Sequence, residues 1–291
     1  MEVLAQDLPR GASPDWTIPQ GFEHYTDAEH HTWITLFERQ ADVLPGRACD
    51  AFLRGLDALD LHGQGIPDFA QLNEKLFALT GWTVVAVPGL VPDGIFFDHL
   101  ANGRFPAGNF IRNADQLDYL EEPDIFHDVF GHVPMLTDPV FADYMQAYGK
   151  GGQRALSLGN LQNLARLYWY TVEFGLLETH DGLRIYGAGI VSSRTESIFA
   201  LSSPSPNRLG FDLERVMRTL YRIDDFQQVY FVIPSLNYLL DVTTGTDFGP
   251  LYTKLSHLPD ISIAAIEPGD KVFTLGTQDY DNSGGRLGQG A

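Results

Sequence analysis

The chain has 291 residues, 44% of them apolar and 12% aromatic, which is enough to bury a substantial core and excludes general disorder. Its formal net charge of −19 argues against nucleic acid or an anionic membrane as partner, because both demand a basic face. A single cysteine, Cys49, excludes an internal disulfide and any multi-cysteine metal centre, and fits a reducing cytoplasm.

Residues 1–20, rich in Pro, Gly and Asp, predict an irregular lead-in without the basic region and apolar run of a secretory signal. Thr26 is placed to cap a helix running to about Leu44, with Glu29 as its capping-box partner. Further helices are expected near 47–60 and over 68–79, the latter capped by Asp68 and ended by Gly81. The β-branched run Thr83–Val87 reads as a short strand, and Arg104–Arg112 as a second. Helices are expected at 138–149 and 159–178, then a hairpin strand over Leu183–Ile190, then helices near 212–220 and 235–241. From Thr277 onward the chain is Gly- and Asn-rich and is expected to fray. The fold class is therefore mainly α with short β-strands, in a single domain over 21–276 between the lead-in 1–20 and the tail 277–291. No stretch approaches about eighteen consecutive apolar residues, so no membrane span is expected. Internal repeats and glycine patterns for nucleotide phosphates are absent.

The most informative stretch is Pro123-Asp124-Ile125-Phe126-His127-Asp128-Val129-Phe130-Gly131-His132-Val133-Pro134, followed downstream by Glu173 in an apolar run from Leu161 to Leu177. Two imidazoles and one carboxylate are the ligand set of a mononuclear non-heme Fe(II) site with open positions for oxygen and substrate. On a regular helix, positions i and i+5 lie about 140° apart and cannot meet one metal. Gly131 and Pro134 suggest that the helix stops near His132, letting its side chain swing back from the turn. Taken singly, each of the three residues is more often structural than a ligand. The same three could also hold zinc for a hydrolase, and a non-catalytic binding protein could retain the fold.

These segments resemble the pterin-dependent aromatic amino acid hydroxylases. The carrying residues are Pro123–Asp128 with Gly131–Pro134, then Tyr168-Trp169 with Thr171–Gly175, then Tyr186–Gly189 with Ser192-Ser193. Weaker similarity covers Thr32-Trp33 and Val87–Phe96, and the whole spans roughly residues 16–250. The resemblance implies a single, mostly helical catalytic domain of that type, which hydroxylates L-phenylalanine to L-tyrosine with O₂, Fe(II) and tetrahydrobiopterin or a related tetrahydropterin. Hydroxylation of tryptophan or tyrosine is the neighbouring alternative.

Carried over residue by residue, His127, His132 and Glu173 are the iron ligands. Arg112 holds the substrate carboxylate, as a planar two-pronged guanidinium suits. Trp169, Phe174, Gly189, Ser192, Ser193 and Glu196 shape the amino acid pocket. Gly89, Leu90, Phe96, Asp128 and Tyr168 attend the pterin, with Phe96 as the stacking ring. Leu120 stands where animal relatives carry a threonine near the substrate. Ile223 falls where phenylalanine hydroxylases carry an aliphatic residue. Neither the regulatory domain nor the C-terminal heptad helix of the animal enzymes is matched, so a monomer without allosteric activation is expected.

Overall fold

The computed structural model describes residues 8–118 and 122–282. Thr26 accepts from the Glu29 backbone while Glu29 reaches back to the Thr26 backbone, and this capping box starts helix α1, Asp27–Ala41. Helix α2 spans Asp50–Leu59, and α3, Phe69–Thr80, is capped by Asp68 and closed by Gly81 in the left-handed conformation. Strand β1, Thr83–Val87, pairs in parallel with β2, Arg104–Gly108. Between them lies a helix the sequence reading did not assign, α4, Asp93–Ala101.

The helix expected over 138–149 runs on to Leu158 as α5, Pro139–Leu158. The glycines within this longer helix serve packing. A Cβ on Gly149 would sit 2.4 Å from the Ala101 backbone nitrogen, and one on Gly152 would sit 2.0 Å from the Phe97 ring. Bare backbone at these points lets α4 and α5 approach closely, which offsets the lower helix propensity.

The helix expected over 159–178 is α6, Leu161–Tyr168, continued by a π-helical turn, Trp169–Glu173. The chain then leaves the helix, and Leu176–Thr179 is strand β3, which pairs antiparallel with β4, Gly182–Ile185. A short apolar run does not by itself distinguish buried helix from buried strand, and here pairing decides. The expected hairpin strand over Leu183–Ile190 ends at Ile185, because Ala188–Val191 is a helical turn, α7. Next come α8, Arg194–Ser202, β5, Asn207–Gly210, and α9, Leu213–Arg218. Strand β6, Val229–Ile233, is followed by α10, Leu236–Gly245, α11, Phe248–Leu255, β7, Val272–Thr274, and a last turn, α12, Asp279–Asn282.

The larger sheet has the order β4-β3-β6-β5-β7, with wholly buried β6 at its centre and parallel to β3 and β5. Helices dominate, as expected, and the chain buries one continuous apolar core. The described part of the lead-in is irregular but tied down. Ile18 donates to the Ala86 carbonyl, and Asp15 pairs with Arg104. At the other end the described residues from Thr277 are hydrogen-bonded to the body of the domain. Thr277 and Gln278 donate to the carbonyls of Pro204 and Ser205, and the Tyr280 hydroxyl donates to Asp225 at 2.8 Å. Residues 283–291 of the expected tail lie outside the described residues.

Candidate active site

The expectation that a helix ends near His132 is corrected by the backbone. Phe126–His132 is a π-helical turn, continued by a 3₁₀ turn over Val133–Thr137. A π-helix bonds i to i+5, so it stacks residue i+5 over residue i. The five-residue spacing that an α-helix would splay apart is the spacing this turn brings together. Phe126, Val129 and Phe130 are buried on its core side, where Phe126 stacks on Phe130 at 4.7 Å and meets Trp33 edge-on at 5.1 Å. That packing anchors the turn and sends both imidazoles the other way.

Glu173 ends the second π-helical turn, where the Phe174 N–H donates to the Trp169 carbonyl five residues back. The Nε2 atoms of His127 and His132 lie 3.3 Å apart, His132 Nε2 lies 3.2 Å from Glu173 Oε1, and His127 Nε2 lies 3.6 Å from Glu173 Oε2. Ligand atoms of the three residues all fall within 4.8 Å of one another.

Their protonation suits a cation. The Ser192 hydroxyl donates to the Ala188 carbonyl at 2.7 Å, so the 3.0 Å contact between Ser192 Oγ and His127 Nδ1 is donated by the imidazole. His127 therefore carries its proton on Nδ1 and turns the Nε2 lone pair to the cluster. Burial, reinforced by neighbouring His132 and opposed by Glu173, depresses the His127 pKa to about 4. Burial pushes the Glu173 carboxyl up, but the two imidazoles outweigh it and hold the group below its ordinary value. A neutral imidazole donor beside a carboxylate is the state in which such side chains bind metal. The donor set therefore fits the Fe(II) that the resemblance implies.

Two of the three candidate ligands, His127 and Glu173, line a cleft of about 830 Å³. Arg112 also lines it, held from behind by a buried two-pronged pair with Asp124: Nε to Oδ2 and Nη2 to Oδ1, each 2.8 Å. Asp124 further accepts from the backbone N–H of Arg112 and of His127, tying the guanidinium to the first histidine of the cluster. Burial pushes the Asp124 carboxyl up, and Arg112 more than reverses this. One edge of the fork is thus occupied and Nη1 donates to the Leu117 carbonyl at 3.5 Å, which leaves one Nη1 and one Nη2 proton for an anion.

The aromatic side of the cleft is Phe174 against Trp169 at 4.8 Å, with Tyr221 stacked on Trp169 at 4.4 Å. Gly189 comes so close to Phe174 that a Cβ would sit 2.9 Å from its ring. Ser193 caps α8, and buried Glu196 accepts from the Tyr230 hydroxyl. Ile223 lines the cleft from its rim, 66% exposed.

The residues expected near the pterin divide. Gly89 and Leu90 line the cleft beside Glu122, which accepts from the Leu90 N–H. Tyr168 lies face-on to His132 at 6.3 Å, and Phe96 meets Tyr168 edge-on at 5.8 Å. Asp128 accepts from the Gly108 N–H at the end of β2, and burial pushes its carboxyl up to about 7. These last three are not among the residues lining the cleft. Leu120 lies outside the described residues. Trp16, Glu122, Asp225 and Gln227 line the cleft and were not singled out from sequence. Trp16, an aromatic in a polar lead-in and here 6% exposed, was the one with a readable signal.

A model of the biopterin-dependent aromatic amino acid hydroxylase family matches residues 17–243. The phenylalanine-4-hydroxylase of Caulobacter vibrioides is 74% identical over 98% of this chain and 96% of its own length. That of Chromobacterium violaceum is 57% identical over 90% and 88%. A crystal structure of the Chromobacterium violaceum phenylalanine hydroxylase with iron and phenylalanine bound superposes with a TM-score of 0.86 at 56% identity, covering 90% of this chain and 95% of the other.

Proposed function

Because this chain belongs to the biopterin-dependent aromatic amino acid hydroxylase family, we propose a division of labour among its site residues for that family's reaction. The chain is a monooxygenase that hydroxylates L-phenylalanine to L-tyrosine with O₂ and a tetrahydropterin at a non-heme Fe(II) site. The observation that carries our assignment is the convergence of His127, His132 and Glu173 on one point in the wall of an aromatic-lined cleft.

The two imidazoles and the carboxylate hold the iron. When bound, iron and tetrahydropterin together supply the reductive activation of O₂ that no side chain can provide. The chain supplies position and dryness. Ser192 holds His127 in the Nδ1–H tautomer, and Asp124 steadies both His127 and Arg112. The free edge of Arg112 takes the amino acid carboxylate, which sets how far the aromatic ring reaches toward the ligands. Phe174 and Trp169 form the wall for that ring, with Gly189, Ser192, Ser193 and Glu196 completing the pocket. Gly89 and Leu90, with Tyr168, Phe96 and Asp128 near the ligands, receive the pterin. Ile223 offers no carboxylate that would favour a ring already hydroxylated.

No helix among the described residues is long and apolar enough to cross a membrane. We place the enzyme in the cytoplasm as a monomer, with the catalytic domain over 21–276. Buried Cys49, the sole cysteine, supports a reducing compartment.

Anaerobic loading with Fe(II), followed by phenylalanine, tetrahydropterin and air, tests the assignment. His127→Ala, His132→Ala and Glu173→Ala are each expected to lose iron and tyrosine formation together. Near-normal tyrosine production at full iron loading in any of the three would sink it.

A further inference from the structure

We propose that Gln227 is a positioning residue for the substrate ring, acting through the indole of Trp169. The inference rests on the reading of Trp169 as a wall of the ring pocket. Gln227 is 1% exposed, lines the cleft, and has both ends of its amide engaged. Its Nε2 lies 2.8 Å from the Arg222 carbonyl and 3.3 Å from the Asp225 carbonyl. Two carbonyls can only accept, so this end of the amide is the NH₂. The Oε1 end therefore faces the indole, and Trp169 Nε1–H donates to it at 3.0 Å. An indole has one polar donor, and Trp169 spends it here.

Stacking and hydrogen bonding restrain different motions. Tyr221, stacked at 4.4 Å, and Phe174, tilted against the ring at 4.8 Å, resist tilting of the indole, but such face contacts tolerate sliding in the indole plane. A directional hydrogen bond at the ring edge resists the slide. Phe174 follows Glu173 directly in the chain, so a slipped indole shifts the ring wall relative to the ligands.

Gln227 is itself held on several sides. Its backbone N–H donates to Glu196 Oε1 at 3.3 Å. Asp225, whose carbonyl it holds, accepts from the Phe226 N–H at 2.9 Å and from the Tyr280 hydroxyl at 2.8 Å. The Phe226 ring stacks on Phe199 at 4.4 Å. The peg that meets the indole is thus braced from α8 and from the C-terminal turn α12.

The test compares iron-loaded wild type, Gln227→Leu, Trp169→Phe and the double variant, with thermal unfolding to show that each is folded. Gln227→Met, close in volume, replaces Gln227→Leu if the latter does not fold. Tyrosine formed per tetrahydropterin oxidised and the phenylalanine kcat/KM are the readouts. Gln227→Leu is expected to lower both, kcat/KM by about tenfold, with tetrahydropterin KM and iron content at wild-type values. The double variant is expected to lose no more than Trp169→Phe alone, because the donor that Gln227 holds is already gone. Wild-type values in Gln227→Leu, or losses that multiply in the double variant, overturn the inference. Wild-type values in Trp169→Phe overturn instead the reading of Trp169 on which it rests.

Discussion

The wall of the cleft that carries the proposed iron ligands and the wall proposed to face the substrate ring are assembled differently. The ligand wall is two short continuous segments, Phe126–His132 and Trp169–Glu173, each a π-helical turn with its apolar side sunk in the core. The ring wall is gathered from Trp169 and Phe174, Glu196 on α8, and the irregular stretch from Tyr221 to Gln227, with Tyr280 behind. In the first, backbone hydrogen bonding places the functional atoms. In the second, side chains hold one another. Substitutions in the ligand wall should therefore act on metal and stability, and substitutions in the ring wall on substrate terms.

The hardest strain on this distinction is Asp124→Ala. It leaves buried Arg112 without its partner and removes an acceptor from the His127 backbone. A loss of about 3–5 kcal/mol in unfolding free energy is expected, measured by urea denaturation. A loss below about 1 kcal/mol would show that Arg112 finds another partner and that the two walls are less interlocked than the distances imply.

Ser192→Ala sharpens the ligand side. It frees the His127 tautomer without touching a ligand atom, and a drop in Fe(II) affinity of about 10–100-fold is expected by metal titration. Unchanged affinity would mean that burial alone aims the imidazole. Arg112→Lys does the same for the substrate side. A point charge cannot pair with Asp124 and grip a carboxylate with a second edge, so phenylalanine KM should rise by about tenfold while tetrahydropterin KM holds. Equal rises in both would blur the division.

The smallest effect concerns Glu196, whose carboxyl burial pushes from the ordinary 4.5 up to about 8. Between those values the folded protein keeps a proton that the unfolded chain has released. Stability from this group is thus full below the lower value and falls as pH rises through the window. Glu196→Gln mimics the protonated form and does not titrate. The variant should match wild type near pH 4.5 and exceed its apparent Tm by several degrees at pH 9. An equal difference at both pH values would show that Glu196 does not carry the proton.

How legible each wall was follows from the same contrast. The two histidines were readable as residue types at a spacing, because they sit in one unbroken stretch, and Glu173 as a carboxylate in a second apolar run. Their geometry was not, because the sequence reading allowed only an α-helix or its end, and Gly131 and Pro134 pointed to an end. Caps at Thr26, Asp68 and Gly81 were read correctly, since a cap is local chemistry. The full length of α5 was not legible, since the packing role of Gly149 and Gly152 exists only where α4 lies against them. Gln227 had no readable signal at all. It is one of two adjacent glutamines, and the indole it meets is 58 residues away in the chain.

The two π-helical turns have a consequence for insertion and deletion. A π turn is an α-helix carrying one surplus residue, so the regular helix is only one deletion away. Removing Val129 would leave the histidines four apart, a spacing that an ordinary helix brings onto one face, and would keep the flanking core faces in phase. The imidazoles would still be neighbours but would be re-aimed relative to Glu173. The proposed iron centre thus depends on a register of one residue in each of two helices, and a length change there is expected to remove the centre before it removes the fold.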